Sequence, residues 1–234
     1  MHIKGSVALV TGANRGLGAA FVSGLLAQGA TTVYAATRSA YEPGQDGVVP
    51  VRLDITDAAQ VAAVAAQLTD VDLVINNAGV FHQTQALSDE LDAALRTDLE
   101  TNLFGTAAVS RAFAPALAAN GGGVLVNVLS VASWRSPAGF AAYGASKAAA
   151  WSITNSLRLE LRQAGTLVVG VHSGYIDTDM AAAVDSAKVA PDEVVAQVLR
   201  AVENGDEEVL VDDVTRAVKA GLSADIPTIY PVTA

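Results

Sequence analysis

Three side chains in the middle of the sequence have the chemistry needed to move a proton to or from a carbonyl oxygen. Tyr143 and Lys147 lie four residues apart in AAYGASKAAAWS, a segment typical of a helix, so both project from one face. Ser130 ends the apolar run VLVNVLS, which is typical of a strand. Because ligands of open α/β sheets bind at the carboxyl ends of the strands, this serine falls where a substrate would bind.

The three residue types would have different roles in such a reaction. A tyrosine hydroxyl, with an ordinary pKa of about 10, exchanges protons poorly at neutral pH unless cations stabilise the tyrosinate. Lys147 provides one positive charge and an oxidised nicotinamide would provide a second, while Ser130 can hydrogen-bond the substrate oxygen and orient it. Tyr-Lys pairs also arise by chance on solvated helices, and a serine often only ends a strand, so this interpretation depends on a cofactor site elsewhere.

A glycine-rich turn near the N-terminus predicts that cofactor site. TGANRGLG, residues 11–18, follows the first predicted strand directly and opens the first predicted helix. A dinucleotide needs a turn whose backbone can approach the pyrophosphate, with helix N–H groups facing the phosphates. The spacing Gly12-x3-Gly16-x-Gly18 differs from the common G-x-G-x-x-G pattern, and the alternative is an ordinary strand-to-helix turn.

The residues after the second predicted strand indicate which dinucleotide would bind. An acidic side chain about 20 residues beyond the turn would bind a ribose 2′-hydroxyl, whereas a basic one would accept a 2′-phosphate. The strand ends in Thr37 and Arg38, with no carboxylate, and Arg15 lies in the turn itself. Guanidinium groups suit a phosphate, so we expect NADP(H) in preference to NAD(H). The alternative is that both arginines are solvated surface residues.

Short apolar runs rich in β-branched residues alternate with longer stretches rich in Ala and Leu, which predicts βαβ units. Several of these runs are almost continuously apolar, as expected for strands covered by helices on both faces. We therefore expect a Rossmann-type, doubly wound α/β fold with a mostly parallel seven-stranded sheet. The predicted strands are 6–11, 31–37, 48–53, 71–76, 124–129, 167–172 and 207–211.

Helices are predicted between these strands, and several have recognisable first turns. Asp54 or Thr56 is the expected cap of the second helix, Ser88 opens the third, and Pro191 suits a first helical position. Pro115 lies inside the long third stretch, so we expect that helix to bend there. The predicted helices are 16–28, 56–68, 88–118, 140–164, 191–203 and 213–222.

The composition predicts a single globular domain over residues 1–234. Hydrophobic residues make up 51% of the chain and charged residues 16%, which is enough apolar material for one continuous core. The glycine run 121–123 is a turn too short to link domains, and the sequence has no repeat.

Charge and composition also exclude several classes of function. The net charge of -10 disfavours nucleic-acid binding, which needs clustered Lys and Arg. The chain has no cysteine and its three histidines lack ligand spacing, so we expect no metal site. It also lacks a signal-peptide pattern and any apolar run of about 18 residues, so we expect a cytoplasmic protein with no membrane contact.

With these motifs in place, the sequence resembles the short-chain dehydrogenase/reductase family, in particular its carbonyl reductases. The likeness runs in order from Val7 to about Met180, and the thirteen-residue step from Ser130 to Tyr143 fits the family pattern. The matching motifs are TGANRGLG at 11–18, LDIT at 53–56, NNAG at 76–79, TNLFG at 101–105, YGASK at 143–147 and HSGYIDTDM at 172–180.

The resemblance implies a role for individual residues. It implies that Tyr143 is the general acid/base, that Lys147 also holds the nicotinamide ribose, and that Asn102 holds a water in a proton relay from the lysine. The implied catalytic residues are Asn102, Ser130, Tyr143 and Lys147. The implied cofactor-binding residues are Gly12, Asn14, Arg15, Gly16, Leu17, Gly18, Arg38, Asp54, Ile55, Asn76, Ala78, Gly79, Tyr143, Lys147, Gly174, Ile176 and Thr178.

Two departures from the family pattern stand out. Ser173 occupies a position where proline is usual, which affects the expected backbone path but not the chemistry. The chain ends IPTIYPVTA without the family's frequent glycine-rich terminus, which weakens the inference of the usual tetramer. We still expect a homodimer or homotetramer.

The residues that could line a substrate pocket are mostly apolar or aromatic, which favours a hydrophobic or aromatic ketone or aldehyde. We expect reduction in preference to oxidation, because the cellular NADP(H) pool is usually reduced. A non-catalytic NADP(H)-sensing regulator on the same fold is an alternative, and a helix-mediated scaffold is a third. The candidate pocket residues are Phe81, His82, Trp134, Arg135, Pro137, Phe140, Tyr175 and a substrate-loop region at about 178–192; we expect His172 to pack within its strand.

Overall fold

The computed structural model describes residues 1–230, in which seven strands form one sheet. Every neighbouring pair is parallel, as the sequence predicts for a Rossmann-type α/β fold. The order is β3-β2-β1-β4-β5-β6-β7, so the chain moves outward from the middle in one direction and then in the other. The strands are β1 Val7–Thr11, β2 Thr32–Thr37, β3 Val48–Arg52, β4 Leu73–Asn76, β5 Val124–Val128, β6 Leu167–His172 and β7 Glu208–Leu210.

In the described part of the chain, eight α-helices connect or follow these strands. Among residues 1–230, none is both long enough and apolar enough to cross a lipid bilayer. The helices are α1 Gly16–Ala27, α2 Ala58–Gln67, α3 Leu91–Leu99, α4 Thr106–Ala119, α5 Ala141–Leu161, α6 Pro191–Asn204, α7 Asp213–Ala220 and α8 Ile226–Ile229. The last of these was not predicted, and the final residues of the terminal segment IPTIYPVTA, 231–234, lie outside the described part of the chain.

Helices cover both faces of the sheet and bury two separate apolar clusters. In β1, Val10 belongs to the cluster under α1 and α6, whereas its neighbour Leu9 belongs to the cluster under α2 and α4. Phe21 fills the first cluster and Phe113 the second, and both are fully buried. Successive side chains of a strand therefore enter opposite clusters. This explains why the strand sequences are apolar throughout.

The strand order places a crevice at the centre of the sheet. β1 leads outward to β2, whereas its other neighbour, β4, leads to β5, so the connections after β1 and β4 separate at their carboxyl ends. In folds of this class the ligand binds at such a point.

The third predicted helix is interrupted before the proline at which a bend was predicted. α4 runs through Pro115 as one continuous helix. The irregularity is a π-helical turn, Glu100–Gly105, between α3 and α4. Single π-turns frequently mark functional positions, and this one contains Asn102.

The starts of two helices also differ from expectation, and one of them is α3, which begins at Leu91 after Glu90 and not at Ser88. Neither Asp54 nor Thr56 caps α2; Asp57 does, since its carboxylate accepts from the N–H groups of Ala59 and Gln60. Asp54 instead accepts from the backbone and hydroxyl of Thr56. Pro191 is the first residue of α6, as predicted.

Candidate active site

The glycine-rich turn lies at the carboxyl end of β1 and leads directly into α1. Gly12 and Gly16 have φ values of +67° and +53°, a region that other residues rarely adopt. A Cβ on Gly18 would lie 2.1 Å from the carbonyl oxygen of Gly12, so a side chain there is excluded. Arg15, which precedes α1, makes no side-chain cap, so the first-turn N–H groups are available to an anion.

Asn77 fixes this turn, although the sequence did not single it out within NNAG. Its amide donates to the carbonyl oxygens of Thr11, at 2.9 Å, and Gly12, at 3.3 Å. In return the Thr11 hydroxyl accepts from the backbone N–H groups of Asn77 and Ala78. The turn and the segment after β4 are therefore joined by four hydrogen bonds.

A third segment closes around the turn. A Cβ on Gly16 would lie 3.2 Å from the methyl group of Thr178, so the segment after β6 lies against the turn. Ile176 pairs with Val189, which brings the two ends of the predicted substrate loop together. Thus the structure brings the turn, NNAG and the 176–178 segment to one edge of the sheet.

Two predicted cofactor residues have side chains that face the interior. The Asn76 amide donates at 2.9 Å to both Ser110 and Asn127, and its side chain is buried between β4, β5 and α4. Because its amide N–H groups already have partners in the core, only the backbone of Asn76 can face the turn. Leu17 is likewise buried with the core under α1, so only its backbone can face the turn.

The charged residues near the turn are arranged along its outer side. Arg15 is 72% exposed and forms an ion pair with Asp179 at 3.0 Å. Hydrogen bonds from Thr56 hold the pKa of Asp54 below its ordinary value, and the positive charge of Arg38 acts in the same direction. Both arginines are therefore exposed at the surface, Arg15 beside the turn and Arg38 after β2.

Ser130, Tyr143 and Lys147 converge on the neighbouring part of the same edge. Ser130 follows β5 and is almost fully buried, and its hydroxyl accepts from the N–H of Ala132 at 3.1 Å. Lys147 donates to the carbonyl oxygen of Val128 at 2.8 Å and lies 5.8 Å from the centre of the Tyr143 ring. Two of the three side chains therefore come from one face of α5, as their spacing predicts.

Burial changes the acidity of both ionisable groups. Loss of solvation raises the pKa of Tyr143 to about 12, and the Ser130 hydroxyl opposes this through a hydrogen bond. Loss of solvation also lowers the pKa of Lys147 to about 8, and the negative charge of Asp98 opposes that change. At neutral pH the site therefore holds a protonated phenol beside an ammonium group.

Asn102 lies in the π-helical turn and is buried next to this pair. Its amide oxygen accepts from the N–H of Val80 at 2.9 Å, and its nitrogen donates to Val80 O and to Ser146. A Cβ on Gly79 would lie 3.1 Å from the Asn102 oxygen and 3.7 Å from Lys147 Nζ. Gly79 thus leaves space between the asparagine and the lysine.

The comparison with known families decides what kind of protein this is. The sequence profile described as "short chain dehydrogenase" matches residues 6–189. The chain belongs to the short-chain dehydrogenase family. Its members include an oxidoreductase of Myxococcus xanthus, 35% identical over 75% of this chain and 74% of the relative, and a 3-oxoacyl-[acyl-carrier-protein] reductase, FabG, of Vibrio cholerae, 31% identical over 79% of each.

A solved structure agrees with this short-chain dehydrogenase over the entire length of both chains. It is a short chain dehydrogenase from Burkholderia cenocepacia J2315 in complex with NADP, with 40% identity and a TM-score of 0.94. The similarity therefore covers the sheet, the turn and the region of the candidate catalytic residues together.

Behind Ser130, this short-chain dehydrogenase has a buried aromatic stack that sequence analysis did not assign to the site. His172 is fully buried in β6, in agreement with a packing role, and its Nδ1 lies 3.0 Å from the carbonyl oxygen of Ser130. Its ring stacks on Trp134 at 3.8 Å, and burial lowers the pKa of His172 to about 4. Trp134, expected as a pocket residue, therefore packs against the histidine.

The backbone after β6 is fixed by an acidic residue and not by a proline at position 173. Asp212, the N-cap of α7, accepts from the N–H of Gly174 at 2.6 Å and from that of Thr215 at 2.8 Å. The contact fixes the start of the 174–178 segment. Asp212 was missed because it lies 38 residues from Gly174.

Other aromatic residues of the dehydrogenase surround the phenol. Phe81 contacts Tyr143 edge to face, with ring centres 5.2 Å apart, and Phe140 lies 6.0 Å from the same ring. Phe140 also approaches Tyr175, at 6.5 Å. Two of the predicted pocket residues are therefore close to Tyr143 and Tyr175 adjoins one of them, whereas Arg135 and Pro137 are exposed.

Proposed function

We propose that this protein is an NADP(H)-dependent carbonyl reductase that uses Tyr143, Lys147 and Ser130. The observation that carries the proposal is the convergence of these side chains beside the glycine-rich turn, at the edge of the sheet where α/β proteins bind ligands. A cytoplasmic location, with access to NADPH, is part of the same proposal.

The residues around the turn fit a dinucleotide. Gly12, Gly16 and Gly18 present bare backbone, and the uncapped N-terminus of α1 offers N–H donors for a pyrophosphate. Arg15 and Arg38 would hold a 2′-phosphate. When bound, NADPH supplies the hydride. The related Burkholderia structure in complex with NADP, which spans this whole chain, supports the choice of cofactor.

The chain's own residues would handle the substrate oxygen and its proton. Ser130 donates a hydrogen bond that positions the oxygen and stabilises negative charge on it. The raised pKa keeps Tyr143 protonated at neutral pH, so its hydroxyl can donate a proton to that oxygen. The Lys147 ammonium stabilises the tyrosinate that remains.

The substrate class follows from the side chains around Tyr143. Phe81, Phe140 and Tyr175 present aromatic surface, which favours a hydrophobic or aromatic ketone or aldehyde over a charged metabolite. The relatives named 3-oxoacyl-[acyl-carrier-protein] reductase support a second candidate, a 3-oxoacyl thioester. Both candidates present a ketone to the same three residues.

A panel of carbonyl compounds tests the proposal. We expect NADPH oxidation, followed by its absorbance, with aryl ketones or hydrophobic aldehydes, slower turnover with NADH, and at least about a hundredfold loss of turnover in Tyr143→Phe. A matched Tyr34→Phe variant, whose hydroxyl bonds Asp70 ahead of β4, should keep full activity. Turnover restricted to phosphorylated or polycarboxylate carbonyls would contradict the substrate class, and turnover restricted to 3-oxoacyl thioesters would favour the second candidate.

The same variant separates an enzyme from a regulator that only senses NADP(H). An enzyme should lose turnover in Tyr143→Phe while it still binds NADPH, because the phenol is needed for proton transfer. Unchanged NADPH oxidation by the variant across the panel would contradict the mechanism. NADPH binding by the wild-type protein without turnover of any carbonyl would support the regulator.

A further inference from the structure

A second acid–base pair, which the proposed mechanism does not use, borders the candidate active site. Asp98 lies on α3, one helical turn before Asn102, and its side chain is fully buried. Its Oδ1 is 2.6 Å from Nδ1 of His82, and its Oδ2 accepts from the backbone N–H of His82 at 3.4 Å. Within residues 1–230, the His82 ring is the only side chain that hydrogen-bonds Asp98. A carboxylate buried in this way is costly unless it is paired, so the contact needs an explanation.

The pair fixes one end of the segment that follows NNAG. Asn102 bonds both backbone groups of Val80, and Asp98 bonds both the ring and the backbone of His82. Two residues further on, Thr84 donates to Gly139 at 2.8 Å and accepts from the N–H of residue 141 at 3.1 Å. The segment 80–84 is therefore attached to α3 and the π-helical turn on one side and to the start of α5 on the other.

Phe81 lies between these attachments and contacts the proposed proton donor. Its ring centre is 5.2 Å from that of Tyr143, edge to face, and 4.8 Å from that of Phe140. Because Val80 is fixed to the π-helical turn and His82 to α3, the Phe81 ring is held against the phenol. A shift of His82 would therefore move Phe81, the side chain that packs against Tyr143 and orients it.

The buried carboxylate also acts on the same site through its charge. The negative charge of Asp98 raises the pKa of Lys147, against the larger effect of burial, and raises the pKa of Tyr143. Asp98 contacts His82 from the loop, and its charge acts on these two residues of α5. Asp98 thus favours the protonated forms of both the phenol and the ammonium, which are the forms that carbonyl reduction requires.

We propose that Asp98 and His82 are positioning residues of the catalytic site, which hold Phe81 against Tyr143 and help to keep Lys147 charged. The effect on turnover rests on the proposed function. The effect on Lys147 does not, because it is a property of the folded chain without substrate or cofactor.

The charge of Lys147 can be measured directly by NMR on protein whose lysines carry carbon-13 at Cε. Lys147 is assigned by its absence in Lys147→Arg, and its signal should titrate near pH 8 in the wild-type protein. Asp98→Asn keeps the shape of the side chain and removes its charge, so the midpoint should fall by about half a pH unit or more. Asp92→Asn, an exposed residue of the same helix, is the matched control and should leave the midpoint unchanged. An Asp98→Asn midpoint equal to that of the wild type would overturn the proposed role of the charge.

His82→Ala tests the role of the pair in positioning, and it is a mild change because the ring is half exposed. We expect kcat for carbonyl reduction to fall about tenfold or more, with the Kd for NADPH changed less than twofold and no fall in the Lys147 midpoint. His2→Ala, at the exposed N-terminus, is the control for loss of a histidine. Full kcat in His82→Ala would overturn the positioning role, as would a loss of NADPH affinity as large as the loss of kcat.

The two measurements distinguish this proposal from the proposed function. If the wild-type protein reduces no carbonyl, the proposed function fails, whereas the Lys147 titration in Asp98→Asn still decides whether Asp98 controls the charge at the site. If Asp98→Asn does not fold, His82→Ala decides the proposal through kcat. A purely structural role of the pair would lower the melting temperature of both variants and leave kcat and the Lys147 midpoint unchanged.

Discussion

At the scale of single residues, burial has opposite consequences for the two ionisable groups of the site. It raises the pKa of Tyr143 to about 12 and lowers that of Lys147 to about 8. The phenol therefore keeps its proton over the whole physiological range, whereas the lysine begins to lose its charge just above it. The lysine, not the tyrosine, is the group whose ionisation should limit the reaction.

This difference predicts the pH dependence of carbonyl reduction. Lys147 is charged below pH 8 and neutral above it, so the charge that stabilises the tyrosinate is present at low pH and lost as pH rises. We expect kcat to fall as pH increases through about 8, measured with a saturating ketone and NADPH. A kcat that stays constant from pH 7 to pH 10 would contradict the role of the lysine charge.

Also at the residue scale, Arg15 and Arg38 should determine the choice between NADPH and NADH. Each Arg→Ala substitution removes a cation from a 2′-phosphate, so we expect about a tenfold higher KM for NADPH and little change for NADH. The exposed Arg200, on α6, serves as the control for loss of a surface arginine. Equal effects on both cofactors would show that the arginines do not read the phosphate.

At the scale of elements, two helix caps of the same type should differ in their effect on the site. Asp212 caps α7 and also bonds Gly174, whereas Asp57 caps α2, remote from that segment. Asp212→Ala should cost about 1 kcal/mol of stability and also weaken NADPH binding, because the 174–178 segment loses its anchor. Asp57→Ala should lower the melting temperature without a change in the Kd for NADPH. The measurement is the Kd for NADPH of each variant. Equal Kd values for Asp212→Ala and Asp57→Ala would show that Asp212 acts only as a cap.

The elements were largely predictable from the sequence because their signals are local. Apolar β-branched runs located all seven strands, and the strand-to-helix context located the glycine-rich turn. The π-helical turn at 100–105 was not predictable from the sequence. Its residue Asn102 bonds Val80 and Ser146, and the helical repeat of the sequence does not reveal these contacts. Pro115 is a strong local signal, yet α4 accommodates it.

The candidate site was predictable to the same extent. Tyr143 and Lys147 are neighbours on one helix, and Ser130 ends a strand, so their types and spacing suffice. Pairs that form only in the folded chain leave no such signal: Asp98 and His82 are 16 residues apart, and Asp212 and Gly174 are 38 apart. The hydrogen bond from Asn76 to Asn127 likewise depends on the register of β4 and β5.

At the scale of the whole molecule, we propose that the protein forms a homodimer or homotetramer. Phe104, in the π-helical turn, is 56% exposed, and Leu159, on α5, is 70% exposed. A contiguous exposed apolar surface is typical of proteins that associate, and the proposal places both side chains in one such surface. Light scattering should give a mass that is a multiple of 23.8 kDa, and Leu159→Glu should reduce it, whereas Leu87→Glu, in a loop, should not. A wild-type mass of a single chain would contradict this.

The sheet as a whole brings the turn after β1 and the serine after β5 to one edge, and the proposed chemistry depends on this arrangement. Transfer of deuterium tests it most directly, by mass spectrometry of the alcohol formed from an aryl ketone and NADPH deuterated at the transferable position. We predict one deuterium on the carbinol carbon with the wild-type protein and at least about a hundredfold slower formation of that product with Tyr143→Phe. An alcohol without deuterium, or equal rates with the two proteins, would contradict the account.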